Sequence, residues 1–126
     1  MDLHEEIGGL VAPLLHRTLF VCVSEPVAAA EEILPHIPDH LRHLVAMEKS
    51  GVLLASGPFI EGGQVGLGAM MIIRAKNIAE ARQIAGEETL HKLGLRRFTI
   101  EEWQLNQGRI SVQIDFSDQK GGLDGG

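Results

Sequence analysis

The chain has 126 residues, 44% of them apolar and 22% charged, with 17 acidic against 11 basic residues and a formal net charge of −6. That length supports one hydrophobic core, and the reading takes residues 1–126 as a single globular domain. The acidic balance and dispersed basic residues argue against nucleic acid or an anionic membrane surface as partner, and the longest apolar run, "VGLGAMMII", is too short to span a bilayer.

The N-terminus "MDLHEEIGGL" lacks the basic start of a signal or transit peptide, so a cytoplasmic protein is expected. Leu3, Ile7, Leu10, Val11 and Leu14 recur at helical spacing, which predicts an amphipathic helix over 2–15 despite Gly8-Gly9. "RTLFVCVSE" (17–25) reads as a strand. Its Cys22 is the sole cysteine, which excludes an intrachain disulfide and a Cys-based zinc site, and it reads as a buried thiol acting as a small hydrophobe. Pro26 is expected to open a helix that Pro35 interrupts, and Pro38 to start a second piece ending near Gly51. "VLLASGPFI", "EGGQ" and "VGLGAMMIIRA" form a strand, a hairpin turn and the returning strand.

Asn77, with Glu80 three residues on, caps one helix over "IAEARQIAGEETLHKL", closed by Gly94. "RRFTIEEW" is the fourth strand. "RISVQIDF" (109–116) alternates Ile110, Val112, Ile114 and Phe116 against polar neighbours, which predicts a half-buried fifth strand. The tail 117–126 is polar and glycine-rich, and is expected to be mobile. The core order is β-α-β-β-α-β, a ferredoxin-like α+β fold with an antiparallel sheet. Two helices cover one face of such a sheet, yet the first and third strands are apolar on both faces. The second face is therefore expected to be buried against another copy, in a homodimer.

The helix starting at Pro38 sets His40 and His43 as neighbours, with Met47 a turn on, beside a separate apolar stripe of Leu41, Leu44 and Val45. His36, His40 and His43 resemble metal spacing, but Pro35 and Pro38 take His36 off the register, and no metal is expected. On spacing alone His40 is a boundary histidine hydrogen-bonded to backbone. The sharper reading makes it a general base or acid, needing an orienting carboxylate from Asp39, Glu48, Glu87 or Glu88. Gly66 and Gly68 share one face of their strand, a gap that admits a close helix or a ligand.

"IPDHLRHLVAMEKSGVLLASGPF" resembles the YCII-related (YciI-like) family motif, with His40, Gly51 and Gly57-Pro58 at the family's spacing. "NIAEARQIAGEETLHKLGLRRFTIEEW" is similar to its second helix and last strand, so the resemblance spans about residues 18–103 and leaves the N-terminal helix and fifth strand outside. It implies a ferredoxin-like, dimeric α+β barrel with a pocket around a His–Asp pair. His40 matches the family His, while the family Asp falls on Glu88, a departure, and the following Pro on Thr89. Relatives include a dehydrochlorinase of a chlorinated hydroxyquinol, and the wider superfamily a muconolactone isomerase.

The function so implied is a cofactor-independent acid–base enzyme, a lyase or isomerase acting on a small cyclic acid, lactone or hydroxyquinol. His40 is the base, Glu88 the partner, and His43, Gly57, Pro58 and Phe59 bind substrate. Glu88, placed near a helix C-terminus, is expected to have a raised pKa suited to an acid. The alternatives are a non-catalytic dimeric domain binding a small metabolite or protein, and a heme- or metal-using oxygenase with His36, His43 or His91 as axial ligand.

Overall fold

The computed structural model describes residues 2–124, with Asp124 described by its backbone alone. The chain divides into two compact units, residues 18–104 and the flanking residues up to 17 with those from 105 on, where the sequence reading had one domain with its core at about 18–103.

The larger unit carries the expected ferredoxin-like order. Strands β1 (Arg17–Pro26), β2 (Leu53–Glu61), β3 (Gln64–Ile73) and β4 (Arg96–Leu105) form one sheet in the order β2-β3-β1-β4. β3 runs antiparallel to both neighbours, pairing Cys22 with Met71 and Phe20 with Ile73 on one side, and Ser56 with Met71 and Pro58 with Ala69 on the other. The β2–β3 hairpin turns at Gly62-Gly63, both at positive φ (56° and 78°), which a two-residue turn of the strand-matching hand requires.

Strand alternation puts Phe20, Cys22, Met71 and Ile73 on one face, where they meet Met47, Ala81 and Ala85 from the helices in the buried core. Cys22 is fully buried, and its thiol is pushed up to about 11, chiefly by that burial. The opposite face leaves Val23, Met70 and Trp103 more than a third exposed.

The helices differ from the expectation in three places. Pro26 ends β1 instead of opening a helix: α2 (Ala30–Ile33) starts later and runs through a 3₁₀ turn (Leu34–His36) into α3 (Ile37–Lys49). Pro35 and Pro38 each sit in a first turn, where no N–H is missed. Along α3 the buried residues are His40 and Met47, with Leu44 packed against the core, while Leu41 and Val45 are each 53% exposed. The separate Leu41–Leu44–Val45 stripe is therefore corrected: His40, Leu44 and Met47 share the inward face.

The third difference is a break in the expected 78–93 helix. α4 (Ile78–Gly86) is capped by Asn77, whose side chain accepts from the Glu80 N–H at 2.9 Å, and it buries Ala81 and Ala85. It stops at Glu87; Glu88 is extended, and α5 (Thr89–Lys92) begins anew.

In the smaller unit, α1 (Leu3–Val11) is shorter than the expected 2–15: Ala12 still keeps helical dihedrals and donates to Gly8, but Pro13 has no N–H to continue the ladder. Asp2 caps it, accepting from Glu5 N–H at 2.8 Å. The expected strand over 109–116 is β5 (Ser111–Ile114), paired with β6 (Gly121–Asp124) from the segment expected to be mobile. A turn held by Gln119 N–H on the Asp115 carbonyl (2.8 Å) joins them. Among the described residues Ile110, Val112, Ile114 and Phe116 are 65–96% exposed, where half-burial was expected. No described helix is long and apolar enough to cross a membrane.

Candidate active site

Because α4 breaks before Glu88, this residue caps the next turn with its own carboxylate. Oε2 accepts from the backbone N–H groups of Leu90 (3.1 Å) and His91 (3.4 Å), and Oε1 accepts from Nδ1–H of His40. Glutamate is not a favoured cap, since the shorter Asp, Asn, Ser and Thr reach the following amides more easily. Here the longer side chain serves the cap and His40 together. His40 is 7% exposed and Glu88 1%.

Burial pushes the Glu88 carboxyl up, but the hydrogen bond and charge of His40, then the charge and backbone N–H of His91, outweigh it and hold the group below its ordinary value. This reverses the expectation of a raised pKa. The expectation assumed one continuous helix with Glu88 near its negative end; the break gives the carboxylate backbone N–H donors instead. A carboxylate held low in this way is suited to orienting a histidine and poorly suited to donating a proton. With Nδ1–H held by Glu88, the His40 nitrogen left for a ligand is Nε2, which has no hydrogen-bond partner among the described residues.

A second buried pair stands alongside. His91 donates Nδ1–H to the Ala85 carbonyl (2.7 Å), and its Nε2 accepts from the Ser24 hydroxyl (2.7 Å). Burial is the largest influence on His91 and lowers its pKa, so the ring is neutral in this tautomer. It lies against Phe98, ring centroids 4.4 Å apart. Arg96, the first residue of β4, is 7% exposed, and its Nε has no hydrogen-bond partner. Burial holds its guanidinium below the ordinary value, opposed by the Glu88 carboxylate; arginine stays charged regardless.

His40, Glu88, Ser24, His91 and Arg96 all line one cavity of about 410 Å³ between the sheet and α3. Apolar walls come from α3, β2 and β3, including Leu44, Pro58 and Met71. The volume lies within the range of small-molecule sites, and the mixture of apolar wall and a few convergent polar groups is their usual make-up.

The YCII-related domain family matches residues 18–104. The chain belongs to that family. No curated protein is significantly similar in sequence. Among solved structures, the 5-chloro-2-hydroxyhydroquinone dehydrochlorinase of Burkholderia phenoliruptrix AC1100, in complex with 2,5-dihydroxybenzoquinone, superposes with a TM-score of 0.59 at 18% identity, covering 68% of this chain and 92% of that one. The likeness is one of fold.

Of the residues expected at the site of this YCII-related chain, the structure brings together His40, Glu88, Gly57 and Pro58 around the cavity. His43 is not among them. Three residues turn a helix by about 300°, so His43 leaves the His40 face on the side away from Leu44. It lines a shallow depression with His36, Asp39 and Glu87. The His36–His40–His43 string is thereby split, and among the described residues no group of three or more His, Cys, Asp or Glu could hold a metal ion. Phe59 is 40% exposed and does not line the cavity either; it alternates away from Pro58 and packs over Gly68, where an added Cβ would lie 3.6 Å from its ring. The Gly66–Gly68 gap is filled by strand neighbours: a Cβ on Gly66 would meet the Glu61 carboxyl carbon at 2.9 Å, and one on Gly68 the Ser24 carbonyl at 3.0 Å.

Sequence reasoning missed Ser24 and Arg96, and considered His91 only as an axial ligand of a heme- or metal-using oxygenase. A usable signal was present. Ser24 follows Phe20 and Cys22 on the inward register, and Arg96 precedes Phe98 and Ile100 on theirs; each is a polar residue at a core-facing position.

Proposed function

We propose that the chain is a cofactor-independent acid–base enzyme of the lyase or isomerase type acting on a small oxygenated ring compound. The observation that carries this is the buried His40–Glu88 pair at the cavity wall, with His40 Nε2 left for a ligand. The carboxylate fixes the Nδ1–H tautomer, so Nε2 carries a lone pair that can take a proton from a ring hydroxyl or from a carbon beside a carbonyl. Glu88, held ionised, stabilises the imidazolium that forms. Returning the proton to another atom of the ring gives an isomerisation; loss of a leaving anion from the deprotonated ring gives an elimination. A positioned base of this kind contributes on the order of 10²–10⁴ in rate.

Support from relatives is at the level of fold and family. The dehydrochlorinase with a similar fold acts on a chlorinated hydroxyhydroquinone and holds a dihydroxybenzoquinone, a ring of the size the cavity takes. Ring turnover and deuterium uptake from heavy water, followed by NMR across hydroxyquinols, hydroxyquinones and lactones, test the reading. Turnover is expected in the wild type and lost in His40→Asn. Equal turnover by both proteins sinks it.

A second reading, ligand binding without turnover, is favoured by one observation: Glu88 is anchored by two backbone N–H groups as well as by His40, an arrangement that also suits a structural cap. A tight ligand recovered chemically unchanged after long incubation selects that reading.

The active form is proposed to be a homodimer. On the sheet face away from the core, Val23 pairs with Met70, and these two and Trp103 are 38–39% exposed. An antiparallel sheet that is apolar on both faces calls for a cover on the second, and another copy's sheet offers one.

A further inference from the structure

Arg96 is the charged group of the cavity that the acid–base reading leaves unused. A buried guanidinium is costly unless an anion answers it, usually through the paired donors of its planar fork. On the surface, Arg42 finds such an anion in Asp39, through a single contact at 2.9 Å. Arg96 does not, although it is 7% exposed and Arg42's side chain is 76% exposed. The acid that shares its cavity is committed elsewhere: Glu88 gives Oε1 to His40 and Oε2 to the Leu90 and His91 N–H groups. Ser24 gives its hydroxyl proton to His91, and His91 gives its own to the Ala85 carbonyl. The Nε of Arg96 is left without any partner, on a residue that lines the cavity beside His40.

The charges point the same way. The Glu88 carboxylate and the Arg96 guanidinium cancel. A ligand that contributes one anionic oxygen leaves the cavity balanced if one proton is taken up, and His40 Nε2 is the acceptor available for it.

We propose that Arg96 forms an anion subsite, holding the phenolate or enolate oxygen of a ring compound whose acidic hydroxyl gives its proton to His40. The O–H bond breaks, its electron pair stays on the ring oxygen, and the proton goes to Nε2; nothing is oxidised or reduced. Acidic ring hydroxyl compounds are thereby the ligand class, and neutral lactones are not. The proton's destination rests on the acid–base reading of His40, whereas the subsite rests on Arg96 alone.

The probe is para-nitrophenol, whose phenolate absorbs in the visible, set against neutral para-nitroanisole. Below the phenol's own ionisation range, wild-type protein is expected to raise the phenolate band on binding. Arg96→Met is expected to bind the phenol roughly 10- to 100-fold more weakly, the loss of one charge-assisted contact, and to abolish the band. Arg96→Lys, which keeps the charge but not the fork, is expected to fall between. Para-nitroanisole, measured by calorimetry, should bind weakly and alike to wild type and Arg96→Met, whose fold is checked by circular dichroism. No phenolate band with wild type, or equal affinity in Arg96→Met, overturns the proposal. If Arg96→Met binds as wild type while His40→Asn stops turnover, the subsite falls and the acid–base reading stands. If binding needs Arg96 but turnover does not need His40, the reverse holds.

Discussion

Glu88→Gln exchanges one carboxylate oxygen for an amide nitrogen at a position 1% exposed. Three donors point at the native side chain: His40 Nδ1–H, and the backbone N–H groups of Leu90 and His91 at 3.1 and 3.4 Å. An amide has a single oxygen to offer them. With that oxygen turned to His40, the NH₂ faces two backbone donors and leaves them unanswered, at about 1–3 kcal/mol for each buried group lost. With the oxygen kept on the backbone, the NH₂ faces His40, and the imidazole adapts by moving its proton from Nδ1 to Nε2. Only the second arrangement leaves every buried group paired, so it prevails by at least one such penalty, roughly tenfold in population.

The cavity then meets an Nε2–H donor in place of a base. On a substrate that the wild type turns over, kcat/KM is expected to fall on the order of 10²–10⁴. The fold is expected to lose only about 1–3 kcal/mol, since the charge-assisted bond and the cost of burying the charge disappear together. Nitrogen NMR of the labelled histidine ring reads the tautomer directly: Nδ1 protonated in wild type, Nε2 protonated in Glu88→Gln. Identical tautomers in the two proteins, or a wild type already protonated at Nε2, would refute the reasoning whatever the kinetics.

Two further outcomes follow from the buried groups and the open sheet face. Both Glu88 and His91 have folded pKa values below their ordinary ones, so in each case the unfolded chain takes up its proton first as pH falls. Stability is then lost on acidification in two windows, beginning near about 6.5 for His91 and about 4.3 for Glu88, each with a slope of up to about 1.4 kcal/mol per pH unit; urea midpoints measured against pH should show the upper fall flattened in His91→Gln and the lower one in Glu88→Gln, and a wild-type midpoint that rises on acidification from neutral pH contradicts the assignment. Val23→Asp puts a charge opposite Met70 on the outer sheet face and is expected to turn a dimer into a folded monomer by light scattering, while a dimer that survives the change places the interface elsewhere.

The strands at 17–25 and 109–116 were both legible, the first as a run apolar on both faces and the second as an alternation, yet they came to different ends. The first is tied into the sheet through a ladder from Phe20–Ile73 to Ser24–Ala69. The second pairs, among the described residues, with a four-residue strand, and its apolar side chains are exposed there. Periodicity reports that a face is apolar, not that anything covers it. On α3, spacing alone set His40 beside the core stripe, and only the family motif singled it out. Its burial shows why spacing fell short: a histidine on the Leu44–Met47 face displaces the aliphatic residue by which a stripe is recognised.

The break before Glu88 had only a weak local mark: "GEETLHKL" offers Gly86 at the end of α4 but no proline, and the cap position itself holds a glutamate, with Thr89 one residue too late. It is supported instead by a contact 48 residues distant, the hydrogen bond to His40, together with the two backbone donors that the extended turn frees. Ser24 and Arg96 differ again, because each was visible as a polar residue on an inward strand register. What the sequence lacked was their adjacency. With β4 beside β1 in an antiparallel sheet, the last turn of one strand lies next to the first residues of the other, as the Val27 N–H on the Leu95 carbonyl at 3.0 Å attests. Topology thus gathers two isolated polar interruptions at one end of the sheet, beneath the helix that carries His40, and makes a polar cavity end from what would otherwise read as two flaws in a core.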